Sequence, residues 1–200
     1  MYVLSVFLPL LSFVICIIFN QKLESKKIEF SVSFILILAT LLSGFSFISI
    51  LGDKPEEIVG LGEWIVSGGL FIDWSLKFNT LSALMVLVVN FISMLVHVYS
   101  IGYMHYDKKK IVFLGYLGLF TFFMLILVTS SNLVQLFLGW EGVGLTSYLL
   151  IGFWNYKKTA NDAAIKAFVV NRVGDFGFLL GIFAIFIVFG TVNLNEIFLL

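Results

Sequence analysis

The chain has 200 residues, of which 60% are hydrophobic, only 12% are charged and 23 are phenylalanine. Water-soluble domains carry about 25% charged residues, so these figures exclude a globular domain with a wet surface and point to an all-α, polytopic membrane protein. The net charge of +0 excludes a basic nucleic-acid surface, and the single cysteine, Cys16, excludes an internal disulfide.

A membrane-crossing helix needs about 20 consecutive apolar residues. Six runs qualify, near residues 2–20, 29–51, 78–101, 111–129, 132–153 and 163–190. The first run, MYVLSVFLPLLSFVICIIFN, has no basic residues before it and no small-residue cleavage site, so it reads as a retained span and not a signal peptide. The last run is long enough to include some interfacial helix. Nothing between the runs fits a soluble domain or a low-complexity linker. Residues 1–200 therefore read as one transmembrane domain.

Between the second and third runs lies the one long loop, 52–77. In it, EWIV and LFIDWSLKF are β-prone and flank Ser67, Gly68 and Gly69, which predicts a small β-hairpin capping the helix ends. Lysines in the loops set orientation. Lys22, Lys26, Lys27, Lys108, Lys109, Lys110, Lys157 and Lys158 fall on one side. The other side receives Lys54 and Lys77, with Asp53, Glu56, Glu57, Glu63 and Asp73. The expectation is a lysine-rich face toward matrix or cytoplasm and both termini on the opposite, outward side.

Five ionisable residues inside the runs stand out: His97, Glu141, Lys166, Arg172 and Asp175. A charge at mid-bilayer costs ~2.5–3.5 kcal/mol on insertion scales, and such residues mark ion paths and proton relays. Glu141, in LFLGWEGVGLTSYLLIGFW, lies roughly 13 Å into its span at 1.5 Å per residue. Its side chain is too short to reach water, so it must be protonated, paired with a cation, or wetted by a cavity. Gly139, Gly142 and Gly144 surround it and let a neighbouring helix approach. Trp140, Tyr148 and Trp154 read as packing or interface residues.

In the sixth run, Arg172 and Asp175 are three apart and share a helix face, so they are expected to pair. Lys166 falls on nearly the opposite side, where a buried lysine can load and release a proton. Gly174, Gly177 and Gly181 form a small-residue stripe read as packing. His97 lies near the end of the third run and titrates in the physiological range. No phosphate loop, nucleophilic triad or metal-ligand spacing is present, so bond-making catalysis has no visible seat. Ion movement has one.

The stretches LFLGWEGVGLTSYLLIGFW and KAFVVNRVGDFG closely resemble the subunit 5 family of mitochondrial NADH dehydrogenase, the antiporter-like membrane subunits of respiratory complex I. HVYSIGYM and the opening MYVLSVFLPLL resemble the same family, and the motif order is kept across the chain. The resemblance implies a proton-translocating piece of NADH:ubiquinone oxidoreductase. Glu141 takes the place of the family's essential glutamate on the fifth helix. Lys166, Arg172 and Asp175 take charged positions of the sixth, and His97 that of a histidine before the lysine-rich loop. No redox cofactor is expected on this chain. NADH, FMN, iron–sulfur clusters and ubiquinone would sit on other subunits.

The family pairs its glutamate with a lysine on a broken seventh helix and continues through further helices and a long lateral helix. Those elements do not occur in these residues. The partner of Glu141 is therefore expected elsewhere, on a companion polypeptide or on the rest of a longer chain, together with other complex I membrane subunits. Two alternatives share the motifs or the architecture: the large subunit of a multi-subunit cation/proton antiporter, and a non-conducting membrane piece needed for assembly.

Overall fold

The computed structural model describes residues 1–20, 24–52, 56–67 and 70–199. Lys22, Asp53, Lys54, Gly68 and Gly69, used above for charge placement and the turn, lie outside the described residues. Among the described residues, six helices are long and apolar enough to cross a membrane. They are α1 (Tyr2–Phe19), α2 (Ser25–Gly52), α3 (Thr80–Tyr103), α4 (Lys110–Val128), α5 (Leu133–Ile151) and α6 (Lys158–Phe189). A two-stranded antiparallel hairpin, β1 (Glu56–Ser67) and β2 (Leu70–Asn79), separates α2 from α3, and a short α7 (Leu194–Leu199) follows α6.

The helices start where polar side chains can serve exposed amides. Asn79 and Ser82 form a reciprocal capping box at α3, and Asn132 accepts from the Gln135 amide at α5. At the far end of α6, Gly190 adopts φ +72°, a left-handed stop that glycine reaches without Cβ strain. α2 and α6 begin at Ser25 and Lys158, ahead of the apolar runs, because SKKI and KTANDAA are polar yet helical. Hydropathy counts membrane depth and not helix length.

The chain packs as neighbouring antiparallel helices. α1 lies on α2 and α4, α2 on α3, α4 on α5, and α5 on α6. Two apolar clusters hold the α1–α4 bundle. Val6, Ile50, Phe78, Val86 and Leu125 lie at the lysine-poor end, and Cys16, Ile28, Val32, Leu36 and Leu114 lie toward the lysine-rich end. α6 is the edge helix and is mostly exposed in the chain by itself.

The hairpin is the predicted cap over the lysine-poor helix ends. β2 is its seated strand, with Ile72, Leu76 and Phe78 buried. The Lys77 amide donates to the Thr129 carbonyl at 2.7 Å and the Ser75 amide to Gln135 Oε1 at 3.2 Å. Asn132 Nδ2 donates to the Asp73 carbonyl at 2.9 Å. These bonds satisfy strand and helix-end groups that lipid could not serve. Asn132 also bridges to Asn193, which brings the start of α5 beside the segment after α6. The hydropathy pattern gave no sign of α7, which at six residues is too short to register.

Candidate functional site

The site is built on the facing surfaces of α5 and α6, and glycine decides which face of α5 turns that way. A Cβ on Gly139 would come within 2.7 Å of the Leu127 backbone on α4, and one on Gly142 within 2.2 Å of the Phe123 ring. α4 therefore lies almost in backbone contact with that face of α5, as the glycine pattern predicted. The remaining face carries Glu141, Gly144 and Tyr148 toward α6. Gly144 sits opposite Asn171 there, and Tyr148 opposite Phe168.

Glu141 is the ninth residue of α5, about 12 Å along the axis at 1.5 Å per residue. It meets Arg172 of α6. Arg172 Nη1 donates to both carboxylate oxygens, at 2.7 Å to Oε1 and 2.8 Å to Oε2. Glu141 thus has a cationic partner on the next helix, one of the charged residues read there, while the lysine implied on a further helix is a separate expectation. Spacing along one helix cannot show which residue of the next helix comes level. Arg172 also reaches Asp175 Oδ2 at 3.8 Å, so the predicted local pair exists but is the looser of its two contacts. The Phe168 ring lies under the guanidinium, 4.9 Å from its centroid.

Asp175 is 6% exposed and is held from a second direction. Trp140 Nε1 donates to Asp175 Oδ1 at 2.9 Å. Trp140, read from sequence as packing, is thus a member of the site. Its signal was available: an indole N–H next to a buried acid usually finds an acceptor. The result is one cation shared by two carboxylates, with an indole donor at the outer edge. Fully ionised, the three charges sum to one excess negative charge. Binding one proton makes the set neutral, so this is a place in the membrane where a proton can be held and given up at modest cost.

Two of the five residues singled out lie elsewhere. Lys166 is on the opposite side of α6, is exposed, and has no hydrogen-bond or ion-pair partner among the described residues. His97 is fully buried on α3, where Nδ1 donates to the Ser93 carbonyl at 2.8 Å. Helices α4 and α5 separate it from α6. Sequence reading also passed over a buried ion pair, Glu29 of α2 with Lys110 of α4 at 2.5 Å. Glu29 opens its apolar run and Lys110 closes a lysine cluster, so both resembled loop charges.

On the lysine-rich side a cleft of about 500 Å³ is lined by Asn20, Lys109, Tyr116, Tyr148, Gly152 and Asn161. Tyr148 and Gly152 continue the Glu141 face of α5, and Asn161 the Arg172 face of α6, so the cleft opens in line with the Glu141 cluster. Beside it, Trp154 Nε1 donates to Asp107 Oδ2 at 3.1 Å and ties the 104–109 loop to the turn after α5. The Lys109 backbone N–H, the Trp154 indole and the Lys109 charge together hold the Asp107 carboxyl below the usual carboxylate range.

Comparison with known proteins follows the same geometry. Residues 64–114 match the family described as NADH-ubiquinone oxidoreductase (complex I), chain 5 N-terminus. Residues 130–200 match the NADH:quinone oxidoreductase/Mrp antiporter transmembrane family. The chain is 46% identical over 198 residues to NADH-ubiquinone oxidoreductase chain 5 of Chondrus crispus, covering 99% of this chain and 30% of that one. It is 44% identical over 197 residues to NADH-quinone oxidoreductase subunit L of Rickettsia typhi, covering 98% of this chain and 30% of that one. A chain of the membrane-bound sulfane sulfur reductase, an archaeal respiratory membrane complex, superposes with a TM-score of 0.87 at 22% identity. That match covers 100% of this chain and 39% of that one, and it shows the shared fold. The chain spans about 30% of the length of the curated relatives it matches. Two matched family segments and near-complete coverage by the chain 5 and subunit L relatives lead to one conclusion: the chain belongs to the chain 5 family of antiporter-like membrane subunits of the NADH:quinone oxidoreductases.

Proposed function

We propose that the chain is part of a proton-translocating membrane subunit of NADH:ubiquinone oxidoreductase, in the mitochondrial inner membrane or a bacterial membrane. One observation carries the reading: the Glu141–Arg172–Asp175 cluster with Trp140, set between the mid-sections of α5 and α6. In this reading Glu141 takes and releases the proton, and Arg172 sets how tightly it is held. Asp175 competes with Glu141 for the same cation. When Arg172 leans toward Asp175, Glu141 loses its counter-charge and binds a proton; when it returns, the proton leaves. The cleft at Tyr148 and Asn161 gives water a way in from the lysine-rich side. Lys166 faces whatever packs on the open side of α6, and His97 serves the lysine-rich side.

NADH, FMN, iron–sulfur clusters and ubiquinone belong, in this proposal, to other subunits of the assembly. The lysine-rich loops face matrix or cytoplasm, both ends of the chain face the other side, and a companion or continuing chain supplies the remaining helices. A second reading, the large subunit of a cation/proton antiporter, is favoured by the family match at 130–200, whose description includes the Mrp antiporter. Co-purification separates them: flavin and iron–sulfur proteins support the first, small antiporter subunits the second. A purely structural role predicts that Glu141, Lys166 and Asp175 can be neutralised together with pumping intact.

The test is Glu141→Gln in the assembled membrane complex, with proton uptake into vesicles measured against NADH oxidation. The proposal expects assembly to be retained and pumping lost. Normal pumping by the variant sinks it.

A further inference from the structure

Outside the α5–α6 site, the α1–α4 bundle carries a polar seam of which the proposed function uses His97 alone. It begins with a proline. Pro9 of α1 has no N–H, so the Ser5 carbonyl one turn earlier loses its helical donor. Asn90 of α3, fully buried, supplies a replacement: its Nδ2 donates to the Ser5 carbonyl at 3.2 Å. Thr40 Oγ1 of α2 in turn donates to the Asn90 backbone carbonyl at 3.0 Å. Asn90 Oδ1, in the middle of this junction, has no protein partner among the described residues.

The Thr40–Asn90 contact fixes the register of antiparallel α2 and α3. Two turns toward the lysine-rich end, Ser33 comes level with His97. Both are buried, and both present a polar atom with no protein partner among the described residues, Ser33 Oγ and His97 Nε2. The His97 atom is the more informative. Its Nδ1 donates to the Ser93 carbonyl, so Nε2 of the neutral ring is an acceptor. The Leu114 carbonyl of α4 also acts on the ring, and as an acceptor it cannot donate to Nε2. A water that donates to Nε2 satisfies it. About one further turn on, the Glu29–Lys110 pair closes the seam at the lysine-rich end. In the opposite direction it stops against the apolar cluster of Ile50, Phe78, Val86 and Leu125.

Buried polar atoms in a membrane bundle are nearly always satisfied, and where protein cannot do it, internal water does. We propose that α1–α4 hold a file of internal water molecules, anchored at Asn90 Oδ1, at the Ser33–His97 level and at Glu29–Lys110, and closed at its lysine-poor end. The file is a hydrogen-bonded half-route from the lysine-rich side to mid-membrane, separate from the Glu141 cluster. It rests on unpaired atoms and not on the pumping reading, so either can fail alone.

Radiolytic hydroxyl labelling of the intact membrane assembly, read by mass spectrometry, tests it, because radicals form from water and react close to where they form, so a buried side chain is labelled only where water lies beside it. His97 is expected to be labelled although it is buried, while the outward-facing Phe91 and Leu95 of the same helix stay unlabelled once corrected for intrinsic reactivity. Ser33→Ala removes one anchor without adding volume and is expected to lower the His97 label. Where that variant fails to assemble, a density map of the unaltered assembly fine enough to show ordered water decides the same question, with water expected at both His97 Nε2 and Asn90 Oδ1. His97 labelling no higher than that of Phe91 overturns the proposal. So does a map in which Nε2 bonds directly to a protein group.

Discussion

Replacing Arg172 by Gln leaves Glu141 and Asp175 facing each other with Trp140 as the remaining strong donor. Arg172 makes two short bonds to Glu141 and one looser contact to Asp175. Charge-assisted hydrogen bonds contribute about 1.5–3 kcal/mol where desolvated. Cross-helix polar pairs measured inside membranes average about 0.6 and reach about 1.7 kcal/mol. The Arg172 side chain is 53% exposed in the chain alone and that of Glu141 24%, which argues for the lower scale. The expected coupling is therefore about 0.6–1.7 kcal/mol. Arg172→Gln alone should cost about 2–3 kcal/mol, because two carboxylates lose their cation and one must take up a proton. Glu141→Gln should cost less, since the amide oxygen still accepts from Arg172. The double variant should cost less than the sum by the coupling. Reversible unfolding in mixed lipid–detergent micelles reads all four corners of the cycle. Additivity within about 0.5 kcal/mol would refute the claim that these two side chains act as a unit.

Trp140→Phe keeps the ring but removes the donor to Asp175, and the same unfolding assay should show a loss of about 1–3 kcal/mol. Gly139→Ala forces a methyl against the Leu127 backbone and should cost about 1–3 kcal/mol, whereas Gly174→Ala, with open space around its Cβ, should be neutral or better. Lys110→Met strands Glu29, a residue 2% exposed, and should lower stability by about 3–5 kcal/mol unless Glu29→Gln accompanies it. The Asp107 carboxyl sits below its unfolded value of about 3.9, so its contribution to loop docking is complete above that pH and is lost only as pH falls through the lower folded value. Trp154 emission, taken as the difference from Trp154→Phe, should be flat from neutrality to about pH 4 and change below it.

The membrane fold was legible because apolar length is a property of segments. All six spans could be read that way, and the hairpin from its β-prone runs. Glycine spacing around Glu141 correctly announced a close neighbour, but it could not say that the neighbour is α4 at Leu127 and Phe123. Pairing was less legible. Arg172 and Asp175 were readable as an i, i+3 pair, yet the shorter contact runs to Glu141 across an antiparallel register that local spacing does not encode. Lys166 was readable as facing away from Asp175. Asn90 was invisible as a site residue, since its role depends on a carbonyl freed by Pro9 on a different helix. Glu29 hid at a span boundary, where a charge normally meets water.

The central claim is that Glu141 gains and loses a proton during turnover. Infrared difference spectroscopy on the assembled complex, with and without NADH oxidation, observes that directly through the protonated carboxyl stretch. The account predicts a carboxyl band that appears or disappears with turnover and is abolished by Glu141→Gln. A turnover spectrum identical in the Glu141→Gln complex would contradict it.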